Sequence, residues 1–173
     1  MWYKILISTI IIALVAIFQI TLLGSFGDYL SSFNLLLAVL VLLLFLIDFK
    51  WIMYFTITAG LILDIYSSLP FGIFMVSMFL AITVSNFLLL NFFTNRSFYA
   101  VASVGLMAIL SFNCVFLGVS GLTYVLGVSD FYIDKNYWLR LLFQIINILI
   151  ILVGLFFIIN LSSRRFKPNF VRS

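Results

Sequence analysis

Asp64 is the residue whose type and position could most readily carry chemistry, because it is an ionisable side chain inside a long apolar stretch. The 173-residue chain has no His and no Glu, so five Asp are its only acids. Its sequence shows no metal-ligand cluster, no nucleophile beside a base and no paired acids for magnesium. We therefore expect neither catalysis nor a metal or other cofactor. Gln19, Asn113 and the single cysteine, Cys114, also lie in apolar runs and are predicted to hydrogen-bond or pack.

The residues around Asp64 predict the end of one helix and a tight turn into the next. Gly60, Asp64 and either Ser67 or Ser68 follow at spacings of three or four, which places them on one helix face. Pro70 then turns the chain, and the following helix needs an acceptor for its first N–H groups. Asp64 or Ser68 could be that acceptor. A substrate or proton role for Asp64, or a contact with a partner protein, stays open.

Small residues recur every four positions further along, at Ser77, Ala81 and Ser85. In a membrane such a stripe lets another helix approach closely. The spacing predicts a packing face, and the approaching helix could belong to this chain or to a partner.

A polar face is predicted on the last helix, where Arg140, Gln144 and Asn147 follow at spacings of four and three. Polar side chains inside a membrane turn towards the protein interior or towards a partner. Arg140 and Asp64 both fall towards the outer side, and we hypothesise that they approach each other.

The composition, with 66% hydrophobic and 8% charged residues, excludes an ordinary soluble domain. A helix needs about 20 residues to cross ~30 Å of hydrocarbon. Six runs of roughly this kind occur, at 5–23, 29–47, 51–65, 71–93, 98–119 and 138–160. The sequence lacks the alternation of a membrane barrel, so we predict an all-α integral membrane protein with six transmembrane helices.

The distribution of Lys and Arg predicts the orientation, since cytoplasmic loops carry an excess of both. With the N-terminus inside, seven of the nine basic residues are cytoplasmic, and Lys135 and Arg140 are outside. Both termini are then cytoplasmic, and a single six-helix domain, 1–163, precedes a basic cytoplasmic tail, 164–173. A re-entrant pair at the tight connection 48–50 would change this parity. The charge of +4 is spread along the chain, which indicates membrane orientation and not nucleic-acid binding.

The hairpin around Asp64 resembles the signature of the rod shape-determining protein MreD family. In that family a span ends in a Gly-Leu-x-x-Asp-x-x-Ser run, and a Gly opens the next span. The pattern is met here by Gly60, Leu61, Asp64, Ser67 and Gly72. One departure is Ser68, where the family often has a Gly.

The resemblance implies a noncatalytic subunit of the cell-elongation machinery in the bacterial cytoplasmic membrane. MreD-like proteins partner the single-span protein MreC and with it connect MreB filaments to the peptidoglycan polymerase RodA and its transpeptidase. The resemblance also implies a fold similar to the membrane subunits of energy-coupling-factor transporters. The alternative function is therefore a substrate-binding subunit for vitamin uptake, with a pocket that Asp64, Arg140, Gln144 and Asn147 could line.

Overall fold

The computed structural model describes residues 2–23, 34–93, 98–127 and 137–165, and every regular element within these ranges is a helix. The first helix, α1 (Trp2–Phe18), is followed directly by a short π-helical segment, Gln19–Leu23. The helices are α1 (Trp2–Phe18), α2 (Leu35–Leu44), α3 (Phe49–Tyr66), α4 (Ile73–Phe92), α5 (Phe98–Val125) and α6 (Tyr137–Arg165).

Four of these helices, α3 to α6, are long and apolar enough to cross a membrane. The apolar stretches of α1 and α2 within the described residues are shorter. The chain is therefore an all-helical, multi-pass membrane protein.

The second predicted span, 29–47, differs most from the structure. Its residues 29–33 lie outside the described ranges, and α2 has only 10 residues before the turn that leads to Asp48. At 1.5 Å per residue α2 is about 15 Å long, half the hydrocarbon thickness. The tight connection predicted at 48–50 lies at 45–48, because Phe49 and Lys50 already belong to α3.

The short helix α2 lies at the centre of the bundle and contacts all five other helices. Six of its ten residues are buried: Leu36, Leu37, Ala38, Leu40, Val41 and Leu44. The partly buried residues Leu35, Val39, Leu42 and Leu43 fall on one face, so α2 is apolar on every side and buried over most of its surface. The other helices surround it and expose large apolar side chains outwards.

The fifth helix is longer than predicted, because it continues past 119 to Val125. Ser120 and Thr123 in this extension are polar, but each hydroxyl donates a hydrogen bond to a carbonyl of its own helix. The helix ends where Gly127 adopts a positive φ of 69°, a conformation that Gly reaches at little cost.

The sixth helix also exceeds its predicted range and runs to Arg165. The first two residues of the predicted basic tail, Arg164 and Arg165, are thus helical, and residues 166–173 lie outside the described ranges.

We expect Leu40→Ala in α2 to destabilise the protein in detergent far more than Leu90→Ala in α4, although the two changes remove the same atoms. Leu40 is 1% exposed and Leu90 is 75% exposed. A cavity at a buried Leu costs about 2–5 kcal/mol, whereas Leu90 loses contacts with the surrounding solvent only. Thermal unfolding read by size-exclusion chromatography compares the two. Equal melting temperatures would contradict the central position of α2.

Candidate functional site

The turn between α3 and α4 is closed by the polar and Gly residues that the sequence singles out. Ser67 follows the last residue of α3, and its hydroxyl donates to the carbonyl of Asp64 over 3.2 Å. Gly72 precedes α4 with a φ of 100°, which a residue with a Cβ rarely adopts. Pro70 lies between them, and Ser68 is exposed at the tip.

The carboxylate of Asp64 caps α4 from the neighbouring helix. Its Oδ1 accepts from the backbone N–H of Phe74 over 2.9 Å, and its Oδ2 accepts from Met75 over 3.0 Å. The side chain is only 3% exposed. Two otherwise unpaired amides and the positive end of the α4 dipole thus face a buried carboxylate. Of the two acceptors suggested by the sequence, Asp64 makes these bonds.

Gly60, one helical turn before Asp64, lets the backbones of α3 and α4 come into contact. A Cβ at Gly60 would lie 2.6 Å from the Cα of Met75, closer than real Cβ atoms come to other atoms. Gly60 and Asp64 therefore hold the same residue of α4, Gly60 by leaving space for it and Asp64 by accepting its N–H.

An aromatic cluster extends this contact to α5. The ring of Phe74, whose amide is bound by Asp64, has its centroid 5.6 Å from Phe116 and 6.4 Å from Phe112. The rings of Phe112 and Phe116 stack 6.0 Å apart. Such aromatic pairs stabilise a contact beyond the area they cover.

A second polar cluster joins α5 to α6. Asn113 donates to Oε1 of Gln144 over 3.1 Å, and its Oδ1 accepts from the hydroxyl of Tyr137 over 3.1 Å. Asn113 is buried. Asn113 is thus a hydrogen-bonding residue and Gln144 part of a polar face, as the sequence predicts. The role of Tyr137 was not predicted, because a Tyr before a membrane span is equally typical of an interfacial anchor.

The start of α2 has a polar contact of the same kind as the start of α4. Oε1 of Gln19, in the π-helical segment after α1, accepts from the backbone N–H of Leu36 over 2.8 Å. Asn34 adds a cap by accepting from Leu37 over 3.2 Å. Gln19 is thus a hydrogen-bonding residue as predicted, whereas Asn34 was not recognised in the sequence.

The stripe of Ser77, Ala81 and Ser85 packs inside the chain. All three residues are 0% exposed. The hydroxyls of Ser77 and Ser85 each donate over 2.7 Å to the carbonyl four residues earlier in α4. Of the two alternatives for this stripe, the structure has internal packing, because a partner helix cannot reach fully buried atoms.

The remaining predicted residues lie apart from Asp64. Arg140 and Asn147 are half-buried on α6. Cys114 is exposed on α5, so the prediction that it is a buried packing residue is wrong. No ion pair joins Arg140 to Asp64 in the described part of the chain, where both carboxylate oxygens accept amide hydrogens from α4. The proposed charge pair thus has no support here.

The polar groups of this arrangement cap helix ends and join neighbouring helices. Every buried side-chain nitrogen or oxygen of the described residues has a hydrogen-bond partner. The same residues contain no group of three side chains able to hold a metal ion. Comparisons with family models, curated proteins and solved structures gave no match to this chain.

We expect Asp64→Asn to lower the free energy of unfolding in detergent by about 1–3 kcal/mol, the cost of leaving a buried donor unpaired. The amide keeps the shape but turns an NH2 donor towards one of the two backbone N–H groups and removes the charge from the helix start. Asp48→Asn is the matched control, because Asp48 is exposed and makes no capping bond through its side chain. Thermal unfolding of the two variants checks this, and equal losses would refute the capping role.

We also expect Gly60→Ala to separate α3 from α4 and to destabilise the protein by about 1–3 kcal/mol, as overpacking does. Gly118→Ala is the control, since a Cβ at Gly118 meets nothing within 4 Å. That control should be neutral or up to about 1 kcal/mol more stable, because Ala is the better helix former. Melting temperatures measured side by side decide, and a harmless Gly60→Ala would show that the backbones are not in contact.

Proposed function

We propose that this protein is a noncatalytic scaffold or regulatory subunit of the bacterial cell-elongation complex, similar to MreD-family proteins. It resides in the cytoplasmic membrane and crosses it six times, with both termini in the cytoplasm. Its partner is a single-span protein of the MreC type, and through it the RodA-type polymerase, its transpeptidase and MreB filaments. It performs no reaction itself.

The proposal rests on what the residues of the MreD-like motif do in the structure. Gly60 and Asp64 both act on Met75, and Ser67 and Gly72 shape the turn between them. A substrate or proton role would need an accessible carboxylate, whereas Asp64 is 3% exposed and both of its oxygens accept backbone amides. The motif of the resemblance thus serves to join two helices, as expected of a subunit whose task is to present a stable surface.

The surface offered to a partner is lipid-facing. Lipid provides no hydrophobic drive between helices, so affinity comes from close packing and a few hydrogen bonds. With the stripe on α4 buried and Gln144 bonded to Asn113, the half-buried Arg140 and Asn147 on α6 are the remaining polar candidates, and Asn147 lies among exposed apolar side chains. Around it α6 exposes Phe143, Ile146 and Ile150, which would pack against the single span of the partner.

The test is affinity purification of the tagged protein from its native membrane in mild detergent, with identification of the proteins that accompany it. We expect a single-span protein of the MreC type, with or without the polymerase pair. Recovery of a transporter ATPase module or of a tightly bound small molecule would overturn the proposal in favour of solute uptake.

The partner surface is tested in the same purification with Asn147→Leu, which we expect to reduce recovery of the single-span protein severalfold. Asn91→Leu, the same exchange at an exposed position of α4 outside this surface, is the control and should leave recovery unchanged. Both variants must elute as folded protein. Equal recovery from both would remove Asn147 from the partner surface.

A further inference from the structure

The tip of the α3–α4 hairpin is apolar and uncharged, although it forms a turn. Residues 67–71 read Ser-Ser-Leu-Pro-Phe, and the large exposed side chains around them are Ile65, Tyr66 and Phe71. Tyr66 and Phe71 are 63% and 69% exposed. The turn between α2 and α3 differs, because Asp48 and Lys50 are both exposed there. The α2–α3 turn thus carries the charged residues expected in water, whereas the α3–α4 turn carries apolar ones.

Helix lengths place the tip close to the far boundary of the hydrocarbon. With 18 and 20 residues, α3 and α4 are about 27 and 30 Å long at 1.5 Å per residue, against ~30 Å of hydrocarbon. Lys50, in the first turn of α3, fixes the opposite end of the hairpin at the headgroups, where its ammonium is solvated. The two helices are therefore too short to carry residues 67–71 far beyond the hydrocarbon into water.

The charged side chain near the tip, that of Asp64, does not need water as a hydrogen-bond partner. Asp64 is buried, and its carboxylate is satisfied by the amides of Phe74 and Met75. Exposed aromatic side chains flanking such a site are typical of the layer between headgroups and acyl chains.

We propose that the tip, residues 65–72, lies in the headgroup–acyl boundary of the far leaflet, and that lipid covers its exposed aromatic side chains. The signature hairpin is then inaccessible from the aqueous phase, and a partner that contacts it does so within the bilayer. This inference rests on the helices and not on the proposed function, so either can fail alone.

Cysteine accessibility in proteoliposomes tests the proposal. In a Cys114→Ala chain, Ser68→Cys is compared with Asp48→Cys, with a charged maleimide present on both sides of the bilayer. Asp48→Cys should react fully, and Ser68→Cys should react at least about tenfold more slowly, because a thiol in apolar surroundings forms little thiolate. Equal rates would overturn the proposal. Phe71→Cys is the second position if Ser68→Cys does not fold.

A second measurement identifies what covers the tip. In a chain with Trp2, Trp51 and Trp138 changed to Phe, Phe71→Trp is reconstituted with lipids brominated near the headgroup or at the acyl-chain ends. We expect stronger quenching of its fluorescence by the shallow bromines. Weak quenching by both, together with slow maleimide labelling, would show that protein covers the tip, which also overturns the proposal.

Discussion

The structure depends on one constraint, that lipid offers no hydrogen-bond partner to the open start of a helix. At the start of α2 and at the start of α4 the preceding helical segment provides the missing acceptor. Gln19 binds an amide at the start of α2, and Asp64 binds two at the start of α4. An acid is suited to the second position because its charge also opposes the dipole of α4. A residue that looks like a reactive group in the sequence is thus a requirement of folding in lipid.

The contacts that begin at Asp64 continue across three helix interfaces. Asp64 fixes the first turn of α4, and the ring of Phe74 in that turn packs on Phe112 of α5. The next residue, Asn113, hydrogen-bonds to Gln144 of α6. Directional contacts set the positions of α3 to α6, while the apolar helix α2 fills the space among them. Since burial in lipid does not itself draw helices together, such contacts are needed to select one arrangement.

The sequence was sufficient for the helical membrane class and for the α3–α4 hairpin, because apolar length and the spacing of Gly60 and Asp64 are local signals. It was insufficient for α2, since an unbroken apolar run has no periodicity to mark where a helix ends. The extension of α5 was hidden because Ser120 and Thr123 read as polar while bonding to their own helix. Spacing also could not decide what packs on Ser77, Ala81 and Ser85, because a helix from any chain satisfies it.

Burial of the polar groups limits how a partner can recognise this protein. Asp64, Asn113 and Gln144 are committed to internal hydrogen bonds, so the chain presents lipid with a mainly apolar surface. A single-span partner would gain no hydrophobic energy on such a surface, and its affinity would depend on shape and on rare exposed polar atoms. Changes at buried sites such as Gly60 would then weaken partner binding by moving the helices that form the surface. In the proposed scaffold role, loss of rigidity would impair the protein as readily as loss of a contact.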